Sequence, residues 1–185
     1  MNAGGPLASS SGMPSVVIVS GCPGSGKTTL AAALARRQPS GLHLLSDVFY
    51  RFPVAPLDPT RPESHAQNSV IMRAIGCSTR VFAEGGYHVV LDGVIGPWFL
   101  AALRPELSGP WPVSYLLLDV PEREALRRVR AREGPGASPQ VRHMFEAFAE
   151  LSAWQAHRVP TGGRSPEQVL ESAVTGLAEG RFLLE

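Results

Sequence analysis

The chain contains almost no lysine. Of its 17 basic residues all but one are arginine, and the exception is Lys27. Charged residues make up only 18% of the 185 residues and the net charge is +1, which excludes an acidic disordered chain and a strongly basic nucleic-acid coat protein. No apolar run approaches the roughly 20 residues that a membrane-spanning helix needs, so we expect no membrane partner.

Cysteine is also scarce. Cys22 and Cys77 are the two cysteines, too few for a disulfide framework in a chain of this length, which favours a reducing compartment. Residues 1–12 are small and polar and lack the charged start and apolar stretch of a secretory signal. We therefore expect a cytoplasmic protein with a flexible tail over residues 1–12 and a single domain over residues 13–185.

The order of apolar and helical segments predicts an α/β fold. Short apolar runs alternate with longer amphipathic stretches, as in folds with a parallel sheet. Strands are expected over residues 16–20, 43–45, 87–91, 113–118 and 157–160. Helices are expected over residues 27–37, 64–84, 121–132 and 141–153 and from Pro166 onward, with a flexible break over residues 134–139.

The strongest motif follows the first predicted strand. Residues 21–28 match G-x-x-x-x-G-K-[ST], a phosphate-binding loop whose backbone N–H groups and following helix N-terminus attract phosphate. Lys27 is expected to reach the β and γ phosphates, where a compact ammonium fits better than a guanidinium, and the Thr28 hydroxyl is expected to bind Mg²⁺. The predicted nucleotide-binding residues are Gly21, Cys22, Pro23, Gly24, Ser25, Gly26, Lys27, Thr28 and Thr29.

A phosphate loop predicts nucleotide binding and leaves the reaction open. The guanine-reading Asn-Lys-x-Asp pattern is absent, which argues against a GTPase switch. Arg128 and Arg132 lie four residues apart on one predicted helix face, where a lid could bring them to the transferring phosphoryl group as catalytic residues. The alternative is a solvent-exposed face on which arginines pair with Glu122, Glu124 and Glu133.

Two aspartates follow predicted strands. Asp47 comes after the second strand and Asp92 ends the third, and the carboxyl ends of parallel strands form the ligand crevice of such folds. Phosphoryl transfer to a hydroxyl is helped by a carboxylate that accepts the proton, a role we assign to Asp47. Asp92 then contributes to the metal site, directly or through water, or the two roles are exchanged. Each aspartate could instead serve as a cap or turn residue.

The acceptor is expected between Asp47, the start of the long helix and the turn after Asp92. Besides these two aspartates, the candidate acceptor-binding residues in this region are Tyr50, His65, Asn68 and Trp98. Aromatic surface beside hydrogen-bonding groups is typical of a small-molecule pocket. His65 could equally be a capping or surface residue, and Trp98 a core residue. Four arginines, Arg51, Arg61, Arg73 and Arg80, are scattered here, so a phosphorylated acceptor remains open.

These motifs resemble those of the small P-loop kinases of the nucleoside-monophosphate-kinase-like group. That group includes gluconate kinase, shikimate kinase, chloramphenicol phosphotransferase and the zeta-toxin kinases, and many bacterial proteins described as AAA-family ATPases are similar. The resemblance rests on residues 21–28, Ser46-Asp47, residues 89–93, and residues 119–121 with Arg128 and Arg132. It implies a three-layer P-loop NTPase sandwich with a five-stranded parallel sheet in the order 2-3-1-4-5, a Mg²⁺–ATP donor and a lid over residues 128–140.

The resemblance therefore implies an ATP- and Mg²⁺-dependent phosphotransferase that acts on a hydroxyl of a metabolite or antibiotic. Residues 46–86 differ from gluconate and shikimate kinases, so those substrates are not carried over. The alternatives are a zeta-toxin-like sugar-nucleotide kinase and a nucleotide-binding regulator with slow hydrolysis. The near-neutral charge argues against a nucleic-acid partner, and either a monomer or a homodimer is compatible with the sequence.

Overall fold

The structure is a computed structural model that describes residues 13–134, 138–149 and 151–184. The predicted tail, residues 1–12, and residues 135–137 of the predicted lid lie outside this part of the chain. A five-stranded parallel sheet forms the centre, in the order β2-β3-β1-β4-β5. The strands are β1 (Val16–Gly21), β2 (Gly41–Leu45), β3 (His88–Asp92), β4 (Val113–Asp119) and β5 (Arg158–Pro160). The expected strand order 2-3-1-4-5 is confirmed.

Helices cover both faces of the sheet. They are α1 (Lys27–Arg36), α2 (His65–Glu84), α3 (Leu100–Leu103), α4 (Glu122–Glu133), α5 (Ser138–Ala149) and α6 (Pro166–Ala178). Apolar residues of α1 and α6 share one hydrophobic cluster with the sheet, and residues of α2, α3, α4 and α5 share the other. The expected three-layer sandwich is therefore confirmed.

The alternation of side chains along β1 explains how one strand serves two cores. Val17 and Val19 belong to the cluster on the α1 side, whereas Val16 and Ile18 belong to the cluster on the α2 side. A central parallel strand covered on both faces is a nearly continuous apolar run, since neither face meets water. Because β1 is the third of five strands in the sheet, its carboxyl end, where the phosphate loop begins, lies at the middle of the sheet.

One predicted helix has different bounds. The helix expected over residues 141–153 runs instead from Ser138 to Ala149 and is followed by a 3₁₀-helix, Ser152–His157. The predicted break over residues 134–139 is therefore wrong at residues 138 and 139. Proline is tolerated in the first turn of a helix, where its missing N–H has no intrahelical partner, so Pro139 does not delay the start of α5.

Two further elements shape the region after β2. A 3₁₀-helix, Ser46–Arg51, follows this strand directly and carries Asp47, and a short 3₁₀-helix, Pro62–Ser64, leads into α2. Within the described residues, no helix combines the length and the apolar character that crossing a bilayer requires.

Candidate nucleotide and acceptor site

The phosphate loop joins β1 to α1 in a conformation that depends on glycine. Gly24 and Gly26 have φ angles of +82° and +99°, which side-chain-bearing residues rarely adopt. A Cβ on Gly24 would lie 2.6 Å from the carbonyl oxygen of Ala125, so the loop packs directly against the backbone of α4. The Lys27 Nζ atom donates a hydrogen bond of 3.1 Å to the carbonyl oxygen of Cys22, across the loop.

The start of α1 offers donors suited to a phosphate. Gly26 is the N-cap and no side chain caps the helix, so the first N–H groups have no intrahelical acceptor and carry the positive end of the helix dipole. The Ser25 Oγ atom is buried and has no hydrogen-bond partner among the described residues. An unpartnered hydroxyl and uncapped amides at one helix start are what a bound phosphate would satisfy.

A cavity of about 330 Å³ lies over this loop. Its walls come from three segments: the phosphate loop with the first turn of α1, the middle of α4, and the chain that leads from β5 into α6. The side chains outside the loop include Arg128, Arg132, Thr161 and Arg164. This volume and polar lining are compatible with a small ligand that carries phosphates.

The electrostatics of Lys27 connect the loop to the two predicted aspartates. Burial lowers the pKa of Lys27 below its usual value, and the charges of Asp92 and Asp47 act against this decrease. The charge of Arg132 lowers the same pKa further. The structure thus brings Lys27, both aspartates and one predicted lid arginine into one electrostatic neighbourhood.

Packing at the ends of β2 and β3 sets the positions of the aspartates. Leu45 pairs with Asp92 in the parallel register, and a Cβ on Gly93 would lie only 1.7 Å from the Oγ atom of buried Ser46. The carboxyl group of Asp92 is 3% exposed and accepts a hydrogen bond of 3.2 Å from the Nε2 atom of His43. Asp47 is exposed at the start of its 3₁₀-helix.

The two arginines of the predicted lid differ in their surroundings. The Arg128 Nη1 atom donates to the carbonyl oxygen of Gly24 at 3.1 Å, and its Nη2 atom donates to Glu124. The carboxylate pairing considered from the sequence is therefore present at this position, together with a contact to the phosphate loop. Arg132 is exposed and also lines the cavity.

The acceptor-binding candidates differ in their burial and in their partners. Burial, and secondarily the charge of Asp47, raises the pKa of Tyr50 to about 12. Buried Asn68 donates to the carbonyl oxygen of Pro59 and so holds the loop before α2, whereas His65 is exposed. Trp98 is 44% exposed, and its ring centroid lies 5.4 Å from that of Phe148 on α5.

Several contacts at the site were not predicted from the sequence. His43 donates a hydrogen bond to Asp92, Glu124 accepts one from the backbone N–H of Gly163, and the Gln67 amide makes two hydrogen bonds with the backbone of Leu57. For His43 a signal did exist, because it lies two residues before Leu45 and thus on the same strand face as the residue paired with Asp92. Glu124 and Gln67 reach partners in other segments, which no local pattern indicates.

The residues present fit a magnesium ion held mainly by phosphates. Among the described residues, no group of three or more His, Cys, Asp or Glu side chains is arranged to hold a metal. Mg²⁺ usually keeps several waters and uses one or two protein groups together with substrate phosphates. The exposed Thr28 hydroxyl at the start of α1 and the Asp92 carboxylate supply such a set.

Comparisons with known proteins agree with this architecture. A family model described as an AAA domain matches residues 17–147. A search among curated proteins gives no significant match.

Solved structures share the fold over most of the chain. A sugar kinase from Janibacter sp. HTCC2649 is 24% identical with a TM-score of 0.66, and the alignment covers 89% of this chain and 95% of that one. A gluconokinase from Sinorhizobium meliloti 1021 is 18% identical with a TM-score of 0.64, covering 91% and 94%. The tunicamycin resistance protein of Deinococcus radiodurans is 18% identical with a TM-score of 0.65, covering 93% and 99%.

Proposed function

The chain belongs to the AAA domain family, and from this premise we propose that it is an ATP- and Mg²⁺-dependent phosphotransferase that moves the γ-phosphate to a hydroxyl of a small molecule. The observation that carries the proposal is the cavity over the phosphate loop, which Lys27, Arg128 and Arg132 line together. The charges of the strand-end aspartates Asp47 and Asp92 act on the same lysine. Asp47 is exposed, as a carboxylate that accepts the proton of a bound hydroxyl must be.

On the nucleotide side, the loop amides and Lys27 bind the β and γ phosphates of ATP. Thr28 and Asp92 would hold Mg²⁺, which when bound would offset the negative charge of these phosphates. Arg128 and Arg132 line the same cavity and stabilise the charge on the transferring group. Both arginines belong to the predicted lid, residues 128–140, which excludes water and so favours transfer over hydrolysis.

On the acceptor side, Asp47 takes the proton of the attacking hydroxyl. The oxygen of that hydroxyl forms a bond to the γ-phosphorus, the bond between this phosphorus and the β–γ bridging oxygen breaks, and ADP leaves. Asp47 suits this role because it is exposed, whereas Asp92 is buried and bonded to His43. The exchanged assignment remains the alternative, and single substitutions separate the two.

The class of acceptor is proposed from the structural neighbours. These neighbours are a sugar kinase, a gluconokinase and a tunicamycin resistance protein, and they support a small-molecule acceptor with hydroxyl groups. Tyr50, His65, Asn68 and Trp98 are our candidates for contacting it. We further propose a cytoplasmic enzyme that acts as a monomer or homodimer.

The test is a screen for acceptor-dependent ADP release. Sugars, sugar acids and aminoglycoside, phenicol and macrolide antibiotics are each incubated with the protein, ATP and Mg²⁺. At least one compound should accelerate ADP release by orders of magnitude, and Asp47→Asn should abolish this while its affinity for ADP stays at the wild-type value. Wild-type turnover by Asp47→Asn would remove the role of Asp47, and slow hydrolysis indifferent to every acceptor would favour a nucleotide-dependent regulator.

A further inference from the structure

Glu124 occupies a junction between segments on opposite sides of the nucleotide cavity. It lies in the first turns of α4, and both of its carboxylate oxygens accept hydrogen bonds. One oxygen bonds the Nη2 atom of Arg128, four residues along the same helix. The other bonds the backbone N–H of Gly163 at 3.2 Å, in the loop that follows β5.

Arg128 extends this junction to the phosphate loop. While Nη2 bonds Glu124, Nη1 donates to the carbonyl oxygen of Gly24 at 3.1 Å. A continuous chain of hydrogen bonds thus runs from Gly24 through Arg128 and Glu124 to Gly163. The two ends of this chain belong to the phosphate loop and to the loop after β5, which contributes Thr161 and Arg164 to the cavity.

Close packing supports the same connection. A Cβ on Gly24 would lie 2.6 Å from the Ala125 carbonyl oxygen, and a Cβ on Gly162 would lie 2.4 Å from the Cδ atom of Pro121. The phosphate loop and the loop after β5 therefore both pack against residues 121–125, the short stretch of chain at the start of α4. Small displacements of this stretch change the distance between the two cavity walls.

We propose that Glu124 is a positioning residue for the nucleotide: through Arg128 and Gly163 it holds the phosphate loop and the loop after β5 at the separation that ATP and ADP require. This inference rests on the proposed function insofar as the cavity is the nucleotide site. Glu124 contacts the walls of the cavity and not the reacting groups, so any effect it has on the chemical step passes through Arg128. Its charge also keeps the guanidinium of Arg128 oriented before the nucleotide arrives.

The test measures ADP affinity by titration calorimetry, with Glu122→Ala as the matched control. Glu122 lies two residues earlier in the same helix turn, where its charge affects the helix dipole similarly, but its carboxylate is paired with Arg142 at 3.6 Å. Glu124→Ala should weaken ADP binding about tenfold, the effect of losing one charge-assisted hydrogen bond. Glu124→Gln keeps an acceptor for Gly163 and should recover part of this loss, and Glu122→Ala should bind ADP within about twofold of wild type.

A double variant and an exchange measurement separate positioning from simple destabilisation. In an Arg128→Ala background, Glu124→Ala should cost only about twofold more, because Glu124 acts chiefly through Arg128. Amide hydrogen exchange should show faster exchange at Gly163 in Glu124→Ala, and less so in Glu124→Gln. Affinity within twofold of wild type in Glu124→Ala, or losses that multiply in the double variant, would overturn the proposal.

ADP binding by Lys27→Ala tests the proposed function independently of Glu124. Lys27→Ala should abolish ADP binding if the cavity is the nucleotide site. Loss of binding in Lys27→Ala with wild-type affinity in Glu124→Ala would remove only the role of Glu124. Wild-type affinity in Lys27→Ala would contradict the proposed function itself.

Discussion

Replacing His43 by phenylalanine tests the structure of the acidic centre. Phenylalanine keeps a planar ring and suits a strand, so the main change is loss of the hydrogen bond to the buried carboxyl group of Asp92. A hydrogen bond to a charged group contributes about 1.5–3 kcal/mol, and leaving such a group buried without its partner costs a similar amount. A loss of about 2 kcal/mol lowers the melting temperature by about 4–8 °C in a chain of this size.

The control for this substitution is His88→Phe. His88 shares a hydrogen bond of 3.0 Å with the Oγ atom of Ser15, at the opposite end of the sheet from Asp92. A neutral pair of this kind contributes about 1 kcal/mol, which corresponds to about 2–4 °C, and ADP affinity should not change. Urea unfolding and thermal melts of both variants give the comparison.

A double variant identifies the cause. When Asp92→Asn removes the charge, His43→Phe should cost at least about 1 kcal/mol less than it does in the wild type, because a neutral amide is easier to bury than a carboxylate. Equal melting temperatures for His43→Phe and the wild type, or additive losses in the double variant, would refute this account of the Asp92 environment.

Three further predictions concern the phosphate loop and Tyr50. An amine-reactive ATP analogue should label Lys27 and, apart from the α-amino group, no other amine. The lowered pKa of Lys27 should speed this labelling, and excess ATP should block it. Labelling at the same rate with and without ATP would count against the site. Subtracting the phenolate absorbance of Tyr50→Phe from that of the wild type isolates the titration of Tyr50. This titration should have its midpoint near pH 12 and not near the usual tyrosine pKa of about 10. Because the folded state keeps this proton longer than the unfolded state, the contribution of Tyr50 to stability is complete below about pH 10 and is lost as pH rises through 12. In urea unfolding, Gly24→Ala should lose more stability than Gly86→Ala. Both glycines have positive φ, but a Cβ at Gly86 would have no atom within 4 Å, whereas one at Gly24 would meet the backbone of α4. Equal losses would argue against close packing of the phosphate loop on α4.

Much of the fold was predictable because its determinants are local. The phosphate loop is a contiguous motif, in which glycines provide positive φ angles and the lysine provides a positive charge. Apolar runs such as β1 directly indicate buried strands. The capping box of α6, in which Ser165 and Gln168 bond each other's backbone, is likewise readable from residues three apart. The strand order came from the resemblance and not from any one of these patterns.

The rest depends on contacts between distant segments. Ser46 packs against Gly93 and His43 bonds Asp92, and each contact exists only because β2 and β3 pair in one register. Similarly, the pairing of Arg158 with Asp119 at 3.3 Å joins the starting residue of β5 to the end of β4. The periodicity of a segment carries no information on pairs between distant segments. The sequence therefore indicated the candidate site residues, but not the neighbouring side chains that fix their positions.

The fate of the γ-phosphate tests the central claim most directly. The protein is incubated with ATP labelled at the γ position, Mg²⁺ and a pool of hydroxyl-bearing small molecules, and the labelled products are separated. We predict a labelled organic product with the wild type, none with Asp47→Asn, and an unchanged ADP affinity in that variant. Label recovered solely as inorganic phosphate, whatever the pool contains, would contradict the assignment as a phosphotransferase.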